Sequence, residues 1–230
     1  MADQVRVNLD QIRQRIAAAA SRAGRNPDGV TLIAVSKTVP ADRIIPVLQA
    51  GITNLGENRV QEAESKVDHV KADGLKWHLI GPLQSNKAKR AVEIFDIIHS
   101  VDSIKLAERL DRLAGELGKT MPVLIQVDLG KESTKSGVDE TDLEALVRRI
   151  ADCGHLRLDG LMTLPPYFEN TEEARPYFRR LRELMADLNG KGIVGHEMRE
   201  LSMGMSHDFE AAIEEGATMV RVGTAIFGSR

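Results

Sequence analysis

Lys37 closes a continuous apolar and β-branched run, VTLIAVS at 30–36. A lysine emerging from a packed core is desolvated, which disfavours its ammonium and favours a nucleophilic amine able to form a Schiff base. The alternative at a strand end is a lysine whose stem packs while its charge reaches solvent. Two further segments carry groups that cradle a phosphate: SMGMS at 202–206, expected to open a helix, and Gly223 with Thr224 after the last apolar run. Ordinary turn and cap chemistry is the competing account, with Ser206 capping a helix that ends at 215. Arg221 alternates with Val220 and Val222, so it should face the opposite side of its strand, towards an interior. There it meets either a ligand's phosphate or ring nitrogen, or a buried acid such as Asp128 or Glu57.

His78 lies beside Trp77 in an apolar strand, where a satisfied core histidine is commoner than a catalytic one. GPLQSNK at 81–87 reads as a turn leading into a helix, and GKESTKSG at 130–137 as a polar loop, either a lid or simply solvated. No metal-ligand spacing is evident, and Cys153, the only cysteine, can form neither an internal disulfide nor a cysteine zinc cluster.

Such groups need a frame. Val5, Leu9, Ile12 and Ile16 share one helical face, predicting an amphipathic helix over 3–23 that ends near Gly24. Apolar strand candidates follow at 30–36, 52–55, 76–80, 96–100, 122–128, 157–162, 198–202 and 218–222. Helical patterns lie between them at 41–50, 58–71, 84–93, 103–118, 139–152, 171–189 and 207–215. This alternation predicts one domain over 1–230: an α/β fold, a single (β/α)8 TIM-type barrel with an extra N-terminal helix. An open doubly wound sheet is the competing architecture. In a barrel, Ser36 and Lys37, Glu57 and Asn58, His78, Ser100 and Asp102, Asp128, Met162 and Thr163, Ser202 to Ser206 and Arg221 to Thr224 converge on the mouth at the strands' C-terminal ends.

The composition narrows the partners. The chain is 42% hydrophobic and 28% charged with a net charge of −3, and no block of like charge marks a nucleic-acid or membrane surface. The N-terminus holds no apolar run able to act as a signal or span, and with the lone cysteine this points to the cytoplasm.

The motifs AVSKTVP at 34–40, LGENRVQE at 55–62, WHLIGPLQSNK at 77–87, KSG at 135–137, GLMTLPP at 160–166 and LSMGMSHDFEAAIEEGATMVRVGTAIFG at 201–228 stand in one order. In these the chain closely resembles the YggS/PROSC family of pyridoxal phosphate homeostasis proteins, whose fold is that of the alanine racemase N-terminal barrel. The resemblance implies that Lys37 bonds pyridoxal 5'-phosphate (PLP) as a Schiff base, and that Ser206, Gly223 and Thr224 hold its phosphate. It implies that Arg221 meets the pyridine nitrogen and that Asn58, His78, Met162 and Ser202 line the pocket. The related racemases draw a second acid/base, a tyrosine, from a further β-domain and a partner subunit. The sequence ends at Arg230, so no such C-terminal β-domain is expected, and its tyrosines are Tyr167 and Tyr177.

The expected function is therefore that of a monomeric carrier in vitamin B6 and amino-acid homeostasis, passing PLP to apoenzymes. The alternatives are a PLP-dependent racemase or decarboxylase with His78 or water as second proton donor, and a cofactor-free Schiff-base aldolase.

Overall fold

The structure is a computed structural model and describes residues 2–131 and 136–228. Helix α1 (Ala2–Arg22) precedes β1 (Thr31–Val35). Strands and helices then alternate: α2 (Ala41–Gln49), β2 (Asn54–Glu57), α3 (Val60–Glu64), β3 (Lys76–Leu79), α4 (Ala88–Ile94), β4 (Ile97–Val101), α5 (Ile104–Glu116) and β5 (Met121–Gln126). The second half continues with α6 (Glu140–Ala151), β6 (Leu156–Met162), α7 (Arg175–Gly190), β7 (Glu200–Met205), α8 (Phe209–Glu214), β8 (Met219–Val222) and α9 (Thr224–Phe227).

All eight strands run parallel, and β8 pairs back onto β1 from Thr31–Met219 to Ala34–Val222. That pairing closes the barrel and excludes the open sheet. Alternation along the strands sorts side chains to two faces. Ala34, Leu55, Leu79 and Ile98 join the large outer core under the helices, while Ile33, Leu124, Met162 and Met219 form a separate small cluster inside the barrel.

The predicted apolar face of α1 is buried as its spacing requires. It covers the sector that the four-residue α9 leaves thin. Asn8 Nδ2 donates to the Ile226 carbonyl at 2.9 Å, and Arg15 pairs with Glu210 at 3.0 Å while lying 4.5 Å over the Phe209 ring.

Three expectations need correction. The helix predicted over 58–71 is only α3, and residues 65–69 turn instead, because Lys66 leaves the helical face to bury its ammonium beneath the chain. The helix over 84–93 begins as a 3-10 turn, Ser85–Lys87, before α4. SMGMS does not open a helix: β7 continues through it to Met205, and α8 starts at Phe209 after Asp208. The N-cap position of α8 is Asp208, without a side-chain cap bond, and Ser206 Oγ accepts from the Gly223 N–H instead, so Ser206 is not the cap. Gly204 makes this possible with φ +90°, since a Cβ there would meet Ala212 Cβ at 2.6 Å and Phe209 Cα at 2.9 Å.

Gly160 is held by a neighbouring backbone rather than by its own φ. A Cβ on it would fall inside the contact radius of the Glu200 carbonyl oxygen, its partner across β6 and β7. Gly160→Ala should force these strands apart and cost roughly 3 kcal/mol or more, read as a lowered urea midpoint.

Candidate functional site

The mouth is built where strands end. Lys37 follows β1 and is half-buried, and no hydrogen bond or ion pair engages its Nζ among the described residues. Thr38 next to it has φ 60°, an unusual conformation for a β-branched residue, stabilised by its N–H donating to Glu62 Oε2 at 2.8 Å. The chain thus turns sharply at the lysine.

Behind that turn is a buried clamp. Glu57, at the end of β2, is fully buried, and its Oε1 accepts from Ser36 Oγ and from Lys66 Nζ, each at 2.7 Å. Lys66 Nζ also donates to the Ser36 carbonyl at 2.8 Å, which ties α3's exit to the residue before Lys37. Glu57 Oε2 has no hydrogen-bond partner among the described residues. Burial pushes the Glu57 carboxyl above its ordinary range, against the opposing pull of its bonds from Lys66 and Ser36.

Beside the end of β1, the Gly223 N–H donates to Ser206 Oγ at 3.1 Å, so the β7–α8 and β8–α9 turns meet at one point. Ser206 keeps its hydroxyl proton to donate, and the N–H groups of Thr224 and Ala225 have no backbone acceptor among the described residues, whereas those of Ile226 and Phe227 bond the Gly223 carbonyl.

Arg221 is buried and points inward. Its Nη1 donates to Ser202 Oγ at 2.6 Å and its Nη2 to the Thr163 carbonyl at 3.0 Å. Neither Asp128 nor Glu57 is its partner: Glu57 takes Lys66, while Asp128 Oδ1 accepts from the Lys131 N–H at 3.0 Å. Burial lowers the arginine to about 10, which still leaves a cation at neutral pH.

Ser202 in turn lies 2.9 Å from His99 Nδ1, His99 Nε2 lies 2.9 Å from His78 Nδ1, and His78 Nε2 lies 2.9 Å from Asn54 Oδ1. Burial depresses His78 to about 3 and His99 well below its usual value, so both rings are neutral.

Of the residues expected at the site, Lys37, Ser206, Gly223, Thr224 and Arg221 fall on the β1, β7 and β8 sector. Ser202 lies beneath Arg221. Met162 is wholly buried in the inner apolar cluster, and His78 sits in the barrel interior. Asn58 follows β2, the strand paired with β1, and lines a cavity of about 1010 Å³ with Arg59, Gln84, Lys87, Asp102 and Ser136. Residues 132–135 of the polar loop, including the first residue of its KSG motif, lie outside the described residues.

The sequence reading missed His99 and the Glu57–Lys66 clamp. His99 carried a usable signal, a polar residue alternating with apolar ones in IIHSV. Lys66 carried none.

Comparison with known proteins adds lineage. The alanine racemase N-terminal domain family matches residues 7–230. A pyridoxal phosphate homeostasis protein of Aquifex aeolicus is 45% identical over 222 residues, covering 96% of each chain. One from Escherichia coli strain K12 is 44% identical over 227 residues, covering 97% of this chain and 95% of its own. The structure of PipY from Synechococcus elongatus with PLP bound superposes with a TM-score of 0.82 at 45% identity, covering 93% of this chain and all of that one.

Proposed function

Because the chain belongs to the alanine racemase N-terminal domain family, and within it to the pyridoxal phosphate homeostasis proteins, we propose that it binds PLP covalently through Lys37 and serves B6 homeostasis as a carrier. The residues present fit that group. An amine with no partner among the described residues stands in the same β1, β7 and β8 sector as the Ser206 hydroxyl and the Thr224 and Ala225 N–H groups, which suit a dianionic phosphate, and the inward Arg221 belongs to that sector too. When bound, PLP supplies an aldehyde that condenses with the lysine amine, releasing water, and a conjugated ring that absorbs near-visible light.

The observation that carries the reading is Lys37 itself: half-buried at a strained turn, held from behind through Ser36, and without a partner of its own among the described residues. Ser206 and Thr224 would hold the phosphate, and the Arg221 cation would face the ring nitrogen, where a positive charge disfavours its protonation.

A carrier rather than a two-base catalyst is supported by the state of the other candidate groups. Both nitrogens of His78 are engaged, and its depressed pKa leaves no proton to exchange near neutrality. Tyr167 is 73% exposed and stacks on His207, and Tyr177 stacks on Phe168.

Purified protein incubated with PLP should turn yellow, lose that band on borohydride reduction, and yield a pyridoxyl adduct on the Lys37 peptide. A protein that stays colourless, yet is trapped by borohydride with a sugar phosphate, would replace this reading with the cofactor-free aldolase.

A further inference from the structure

The polar chain inside the barrel has a direction, and its two ends set it. A guanidinium can only donate hydrogen bonds, and an amide oxygen can only accept them. Arg221 Nη1 therefore donates to Ser202 Oγ, which leaves the Ser202 hydroxyl proton to His99 Nδ1. His99 must then carry its own proton on Nε2 and give it to His78 Nδ1, while His78 Nε2–H donates to Asn54 Oδ1. Each ring has one tautomer in which every donor meets an acceptor. The opposite tautomer of His99 would leave its Nε2 lone pair facing that of His78 Nδ1 with no proton between them, because His78 carries its proton on Nε2. The neutrality of both buried rings is consistent with this pattern.

We propose that His99 is a positioning residue: by taking the Ser202 hydroxyl proton it makes Ser202 Oγ an acceptor that aims the Arg221 guanidinium at the ligand in the mouth. The Thr163 carbonyl is the second anchor. Two of the arginine's five N–H groups are spent on these anchors, and the remainder, including Nε–H, have no partner among the described residues and are free for a ligand. The ligand's identity as PLP rests on the function proposed above, whereas the direction of the chain does not.

Two measurements separate these claims. The first is 15N imidazole spectroscopy of the protein without added PLP, which should show His99 neutral with its proton on Nε2. The second compares His99→Leu with His99→Asn, whose side-chain oxygen can stand near the place of Nδ1. His99→Leu should weaken PLP affinity roughly tenfold and shift the near-visible band, and His99→Asn should stay within about twofold of the parent.

A His99 proton on Nδ1, or a folded His99→Leu protein with unchanged affinity and band, overturns the inference. If His99→Leu does not fold, the tautomer of the parent protein decides. If the parent takes up no PLP at all, the carrier reading fails, while the spectrum still decides the chain.

Discussion

Lys66→Met should destabilise the fold by about 3–5 kcal/mol near neutral pH, because it strands the fully buried Glu57 carboxylate without its cation. The loss should depend on pH. Burial already raises the Glu57 carboxyl, and Lys66 is the main group pulling it back down. Without the ammonium, the folded-state pKa rises further above the unfolded one. A group raised on folding contributes stability that is present below its unfolded pKa and lost as pH rises through the folded value. The variant's deficit should therefore be largest at neutral and alkaline pH and shrink in acid, where Glu57 is protonated and needs no partner. Urea midpoints at about pH 5 and pH 8 would show this, and Glu57→Gln added to Lys66→Met should restore most of the loss at the higher pH. A deficit of equal size at both pH values, unrelieved by Glu57→Gln, would mean that Lys66 acts through its stem's packing rather than through its charge.

Lys37→Ala should behave in the opposite manner, abolishing every borohydride-trappable adduct while leaving stability within about 0.5 kcal/mol. The side chain is half-buried and makes no hydrogen bond or ion pair among the described residues, so its removal costs only part of its stem's packing. Lys37→Arg should be equally inert towards PLP although the charge is kept, because a guanidinium does not deprotonate to a nucleophile. Both variants keep Ser206, Thr224 and Arg221, so they should still bind PLP reversibly and more weakly, measurable by equilibrium dialysis. An undiminished adduct in Lys37→Ala would move the covalent site to another lysine. Lys66 holds the Ser36 carbonyl one residue before Lys37, so the pair of variants separates holding from reacting.

Much of this was local enough to be legible. The run at 30–36 named β1 and placed Lys37 at its end, the alternation in VRV turned Arg221 inward, and the four apolar positions of α1 gave its buried face. Period-two and helical patterns record which face a residue presents, and eight strand–helix repeats leave few ways to bury them. Boundaries were less legible where a single contact decided them: Gly204 let β7 run on because α8 approaches it, and α3 ended where Lys66 found Glu57.

What tertiary structure alone decided is partnership. Arg221 could have met Asp128 or Glu57 on sequence grounds. Closure of the barrel instead carried Ser202 and Thr163 to it, and brought His99 to Ser202 from 103 residues away. A pattern fixes the direction a side chain points, but which group it meets depends on the circumference, stagger and closure of the ring. Those are properties of all eight strands together and of no segment by itself.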